Sequence, residues 1–232
     1  MRLAQREWGS GSRTLAIVHG INGSGSLWEW FAQQLVDRFD YRVIAVDLRG
    51  HGASGRASAY RLDDFADDLI ESLPTGLDVI VGHSLGGRVV ERAVPRLLPS
   101  RAIYLDPGFA VGVPAFVRAA PGLQGFLSRM LAISAPGVPL DARATKRQTT
   151  RDWDRGMSRQ IVLDLADNHV PAAAPLVPST VLLSHRSPLV PARYAARLRA
   201  SGWDVRRFEG SKHDMYLLDP TGTIDRLSDV LS

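Results

Sequence analysis

Gly82-His83-Ser84-Leu85-Gly86-Gly87 is the stretch whose reading decides the fold. It follows the strand candidate Asp78–Val81 and precedes Arg88-Val89-Val90-Glu91-Arg92, a helix candidate. Strand, tight turn and helix is the setting in which Gly-x-Ser-x-Gly makes a nucleophile elbow. The expected physics is steric. The serine sits in a strained backbone conformation, and side chains at the two flanking positions would clash, so both are glycine. Its hydroxyl is lifted to a helix N-terminus, where developing negative charge is favoured. Ser84 is the expected nucleophile.

Outward from the elbow, short β-branched runs alternate with segments of helical period. That alternation argues for βαβ units and a mainly parallel, doubly wound α/β sheet. The strand candidates are Thr14–Val18, Tyr41–Val46, Asp78–Val81, Ala102–Leu105, Thr180–Leu183 and Val205–Phe208. Most are continuously apolar, as strands covered on both faces are. Leu62, Phe65, Leu69 and Leu73 mark one helix, with Asp63-Asp64 and Asp67-Asp68 as its solvated face. Ile224, Leu227, Val230 and Leu231 mark a closing amphipathic helix. From Pro107 to Pro178 no strand is apparent. Short helical patterns occur at Phe116–Val117 and from Phe126 to Ile133, and Trp153, Met157, Ile161 and Leu165 keep helical spacing. The expected domains are a core of residues 1–106 and 179–232 and a helical cap, residues 107–178.

Two more stretches carry chemistry. Ala16-Ile17-Val18-His19-Gly20-Ile21 is a strand that ends in a loop. Acyl transfer needs two N–H donors aimed at the oxyanion. The backbone N–H groups of Leu85, the residue after the nucleophile, and of Ile21 are the expected pair. His19 reads as a brace for the loop. The other stretch is Lys212-His213-Asp214, just after the last strand candidate. A general base titrating near neutrality is best supplied by histidine. His19, His51, His83, His169 and His185 compete, but His213 lies in a loop at the carboxyl edge of the sheet, where Ser84 is. His83 adjoins the nucleophile and should point away from it.

These motifs together resemble the α/β-hydrolase superfamily, in its compact bacterial form. Asp47-Leu48-Arg49-Gly50-His51-Gly52-Ala53-Ser54 is similar to the family's stretch after its fourth strand, and Lys212-His213 with Leu217-Leu218-Asp219-Pro220 is similar to its final histidine loop. The resemblance implies an α/β-hydrolase fold, a Ser-His-Asp triad and no cofactor. One position departs from the pattern. The slot after the penultimate strand that usually carries the acid reads Ser184-His185-Arg186-Ser187-Pro188, with Ser187 where the acid would stand. Asp106, after the strand that follows the nucleophile's own, is the expected replacement. It keeps the order Ser84, Asp106, His213. The alternatives are that Asp106-Pro107-Gly108 is only a turn, that a cap carboxylate such as Asp164 or Asp167 serves, or that there is no acid at all. On this reading Ser187→Ala hardly matters.

Composition excludes much else. The 232 residues are 45% hydrophobic and 22% charged, as in ordinary globular domains. With no cysteine, thiolate nucleophiles, disulfides and Cys-ligated metals are excluded. No metal-binding motif such as His-Glu-x-x-His occurs, so no metal is expected. The opening MRLAQREWGSGSR has no apolar run after its charges, so no secretory signal is expected. No stretch approaches the ~18 apolar residues of a membrane span. A cytoplasmic protein without a membrane partner is the expectation. Net charge is +4, but no run of like charges makes a basic arm, and no nucleic-acid partner is expected. Arg147, Arg151 and Arg155 form a basic stripe, read as a solvated face or as an attraction for anionic substrate. The sequence does not give the oligomeric state. The expected activity is hydrolysis of a small carboxylic ester, lactone or thioester. Carbon–carbon hydrolysis or lyase chemistry by the same triad, and a non-catalytic small-molecule binding protein, are the alternatives.

Overall fold

A computed structural model describes residues 1–111, 138–140, 142–154, 157–170 and 173–232. Its sheet has seven strands: β1 (Gln5–Trp8), β2 (Arg13–Val18), β3 (Tyr41–Val46), β4 (Val79–His83), β5 (Arg101–Leu105), β6 (Ser179–Ser184) and β7 (Asp204–Phe208), in the order β1-β3-β2-β4-β5-β6-β7. β1 pairs antiparallel with β3 and every other pairing is parallel. The doubly wound sheet is as expected, apart from β1. Gln-Arg-Glu-Trp has no apolar alternation and lies at an edge, so no burial pattern announces it.

Helices cover both faces. They are α1 (Glu29–Arg38), α2 (Leu62–Ser72), α3 (Leu85–Leu97), α4 (Ala142–Asp152), α5 (Met157–Asp167), α6 (Ala192–Ala200), α7 (Met215–Leu218), α8 (Pro220–Asp225) and α9 (Ser228–Leu231) among the described residues. Side chains alternate between two cores. Ala16, Val18, Ile44 and Ile80 pack with α2 and α3, whereas Leu15, Ile17, Val43 and Val79 pack with α1 and the C-terminal helices. The closing segment is two short helices rather than one. α8 begins at Pro220, with Asp219 accepting from the Gly222 N–H as its cap, and Arg226 and Leu227 separate it from α9.

The strand order reverses between β2 and β4, and an open α/β sheet binds ligands at the carboxyl ends of the strands at such a switch point. β2 runs out there into His19-Gly20-Ile21 and β4 into Ser84. Above this edge α4 and α5 are bonded to the core. The Asp154 N–H donates to the Gly50 carbonyl at 2.9 Å, Tyr60 Oη donates to Asp154 Oδ2 at 2.8 Å, and Asp164 Oδ2 accepts from the Leu62 N–H at 2.7 Å. The patterns at Phe116–Val117 and Phe126 to Ile133 lie outside the described residues, as does Arg155. Trp153 is buried just before α5, and Met157, Ile161 and Leu165 bury one face of that helix. The acidic face of α2 needs a correction. Asp68 is buried, not solvated, and takes two hydrogen bonds from Arg49, Nε to Oδ2 at 2.6 Å and Nη2 to Oδ1 at 2.8 Å. A buried carboxylate is tolerated because a guanidinium pairs with it.

Candidate active site

Ser84 joins β4 to α3 with φ 52° and ψ −115°. That region is sparsely populated by residues other than glycine and is costly to hold. Its neighbours explain how it is held. A Cβ on Gly82 would stand 2.6 Å from the Gly86 carbonyl oxygen, and one on Gly86 would stand 2.2 Å from the Val18 carbonyl oxygen. Only glycine lets the turn pass so close to β2. The Ser84 N–H donates to the Leu105 carbonyl at 3.1 Å, and the Ser84 carbonyl accepts from Gly87 and Gly108 N–H groups at 3.1 and 2.9 Å. Backbone bonds on both sides fix the strained residue. Leu85 opens α3, so its N–H belongs to the helix's unbonded first turn.

The loop after β2 crosses directly over Ser84. A Cβ on Gly20 would meet Ser84 Cβ at 2.9 Å, so the loop that continues into Ile21 packs against Ser84. His19 holds this loop. Its Nδ1 donates to the Gly20 carbonyl at 2.7 Å, and its Nε2 accepts from the Leu48 N–H at 2.9 Å. Both nitrogens are thus engaged, which suits a brace and leaves no lone pair for a base.

Asp106 follows β5, is fully buried, and has φ 40°. Its Oδ2 accepts from His213 Nδ1 at 2.7 Å. The Ser184 N–H donates to Oδ1 at 3.1 Å and Ser184 Oγ to Oδ2 at 2.9 Å. Burial works to raise the Asp106 pKa. The His213 hydrogen bond and charge, the Ser187 hydroxyl and the Ser184 N–H outweigh it, so the carboxyl lies below its ordinary value. Ser187 therefore acts on the acid from the slot where an acid was expected. Its Oγ accepts from the Val190 N–H at 3.1 Å. Asp164, the cap alternative, is occupied elsewhere: besides Leu62 it accepts from Asn168 Nδ2 at 2.7 Å.

Donation from Nδ1 to a carboxylate fixes His213 as the Nδ1–H tautomer and leaves Nε2 as the basic nitrogen. Charge sets it apart from the other buried histidines. Burial would lower its pKa, but the Asp106 hydrogen bond and charge, with help from Asp214, raise it above 6.5. His19 and His51 have no such partner, and burial pushes them down to about 4 and about 3. His83 is also lowered, chiefly by burial and then by the charge of His213.

Two residues here escaped the sequence reading. His83 was expected to point away from the nucleophile, yet its ring lies 4.6 Å from that of His213, and its Nε2 donates to the His213 carbonyl at 3.1 Å. It is thereby bonded to the His213 backbone. Asp214 is buried, with Oδ1 3.7 Å from His83 Nε2 and no hydrogen-bond partner for Oδ2 among the described residues. Its place immediately after His213 was the available signal. His83, His213 and Asp214 bring ligand-type atoms within 4.8 Å of one another. His83 Nε2 and His213 Nδ1 both donate to protein oxygens, an arrangement that fixes ring tautomers. His185 pairs with Glu209 on the exposed rim. Among the described residues no helix is long and apolar enough to cross a membrane.

A family model described as "Alpha/beta hydrolase family" matches residues 15–226. Among curated proteins, the 2-(acetamidomethylene)succinate hydrolase of Mesorhizobium japonicum is 45% identical over 87 residues, 36% of this chain and 30% of that protein. The pimeloyl-[acyl-carrier protein] methyl ester esterase of Methylococcus capsulatus is 33% identical over 143 residues, 54% of each chain. The matched stretches thus span about a third and a half of these two relatives. Solved structures match over nearly the whole chain. An E-2-(acetamidomethylene)succinate hydrolase superposes with TM-score 0.77 and 27% identity, covering 98% of this chain and 94% of that one. A lipase-esterase related protein from Clostridium acetobutylicum superposes with TM-score 0.78 at 15% identity, covering 99% of both chains, and bears on the fold alone.

Proposed function

The chain belongs to the alpha/beta hydrolase family, and from that premise we propose that it is a serine hydrolase acting on a small carboxylic ester, lactone or thioester. The observation that carries the reading is the Asp106–His213 hydrogen bond, 2.7 Å long, on the same sheet edge as a serine held at positive φ. In the proposed reaction His213 Nε2 takes the Ser84 hydroxyl proton as Oγ attacks the carbonyl carbon. The tetrahedral oxyanion receives the Ile21 and Leu85 N–H groups. Its collapse expels the alcohol or thiol, which takes the proton from His213, and leaves an acyl-enzyme. His213 then draws a proton from water, and hydroxide attack on the acyl carbon releases the acid and restores Ser84. Asp106 orients the imidazole and stabilises its cationic form.

The segment 107–178 acts in this proposal as a cap that holds the non-reacting part of the substrate. Support comes from α4 and α5, which lie bonded over the edge that carries the site. The names of the relatives, a methyl ester esterase and a hydrolase of a succinate derivative, accord with small carbonyl substrates. The test is to mix the protein with 4-nitrophenyl acetate, quench with acid and weigh it intact. An acetyl adduct mapping to Ser84 and lost in Ser84→Ala supports the acyl-enzyme. Ester turnover that survives Ser84→Ala refutes it.

A further inference from the structure

Lys146 and Lys212 are the two lysines of the chain, and Lys146 stands on α4, over the loop that follows β2. α4 is joined to that loop twice. Thr149 Oγ1 shares a hydrogen bond with Ser24 Oγ at 2.9 Å, and Lys146 Nζ donates to the Asn22 carbonyl at 3.1 Å. Asn22 directly follows Ile21, whose N–H is the second oxyanion donor of the proposed reaction. The ammonium is therefore placed beside the reacting end of the site, not on the cap's outer surface. Its neighbours on α4 differ: Arg147 and Arg151, two members of the basic stripe, are exposed.

The ammonium is poorly compensated there. An ammonium has three donors, and among the described residues the Asn22 carbonyl is its one hydrogen-bond acceptor. Burial lowers its pKa, opposed only by the charge of Asp214. Among the described residues no carboxylate lies within ion-pair distance of it. The side chain is half-buried, and removing a cation even partly from water without a paired anion is unfavourable. The group that would satisfy the two remaining Nζ donors is an anion, and a second carboxylate on the substrate supplies one.

We propose that Lys146 is a specificity-determining residue that binds a free carboxylate on the acyl portion of the substrate, so that the preferred substrates are monoesters of short dicarboxylic acids. This rests on the serine hydrolase reading above. The carboxylate accepts from Nζ while the ester carbonyl faces Ser84 and the Ile21 N–H. Because Nζ is bonded to the residue next to Ile21, only a few carbons can separate the two ends.

The experiment compares monomethyl esters of four- to six-carbon diacids with methyl esters of the monocarboxylic acids of equal length, by acid release at constant pH. The readout is the ratio of kcat/KM, charged over neutral, within each protein. A charge-assisted hydrogen bond corresponds to a wild-type ratio that falls about tenfold to a hundredfold in Lys146→Met and is largely kept in Lys146→Arg. An unchanged ratio in Lys146→Met, or a wild type with no preference for the charged ester, overturns the proposal. The unaltered protein gives an independent reading. Butanoate should slow the labelling of Ser84 by a neutral fluorophosphonate more than butanamide does, and equal protection counts against the ammonium. Failure of the underlying reading looks different: neither ester is cleaved and Ser84 is not labelled.

Discussion

Asp106→Asn isolates the contribution of the acid. Asparagine keeps an acceptor oxygen for the Ser184 N–H, which donates to Oδ1 at 3.1 Å, and it matches the buried shape, so the fold should survive. Two things are lost at His213. The carboxylate that raised its pKa is gone, and burial then acts on the imidazole against the charge of Asp214 alone. A hydrogen bond to a charged group is worth up to about 3 kcal/mol, or roughly 150-fold in rate. The amide NH2 facing Nδ1 also favours the wrong tautomer, and together these losses reach ~10⁴ in Ser-His-Asp enzymes. The assay is kcat/KM for 4-nitrophenyl acetate between pH 4.5 and 9, with circular dichroism to verify folding. A loss of 10²–10⁴ is expected, whereas activity within about threefold of wild type refutes the assignment. Ser187→Ala is the companion variant. It removes one of several groups that keep Asp106 ionised, and a neutral hydrogen bond of ~1 kcal/mol corresponds to roughly fivefold in rate. That is more than the sequence alone suggested and far less than Asp106→Asn.

The pH dependence has a defined sign. In the proposed reaction neutral His213 is the base, and its pKa lies above 6.5, so kcat/KM should rise with pH along an acidic limb centred above 6.5. A limb centred well below 6.5 would show that Asp106 does not act on His213. The same raised pKa favours the folded state most below the unfolded histidine value, and that contribution is lost as pH rises through the folded value. Gly86→Ala tests the elbow. Its Cβ would stand 2.2 Å from the Val18 carbonyl oxygen, a backbone contact with nowhere to yield. A Tm lowered by several degrees and loss of Ser84 acylation are expected, and an unaltered Tm contradicts the packing described.

Much of the core was legible because its signals are local. The elbow needs glycine at two fixed positions, and parallel strands read as apolar runs. β1 was not legible, since an edge strand is specified by its pairing to β3 rather than by its own residues. Asp68 looked like surface from its acidic neighbours, and its burial rests on charged partners such as Arg49, nineteen residues away. The pairing of Asp106 with His213 spans |i−j|=107. Chain order and strand ends pointed to it, but the supporting bonds from Ser184 and the help from Ser187 depend on how β5 and β6 align. His83 illustrates the limit of local reasoning: its contact with His213 depends on where the loop after β7 returns. Lys146 gave no signal at all, because its meaning depends on where α4 lies over Asn22.

The central claim is that Ser84 is an activated nucleophile. Its most direct test is treatment of the folded protein with a small fluorophosphonate, followed by peptide mass spectrometry. The account predicts rapid, stoichiometric labelling confined to Ser84, abolished in Ser84→Ala and strongly slowed in Asp106→Asn. Folded protein whose Ser84 stays unlabelled, or labels no faster than a surface serine, contradicts it.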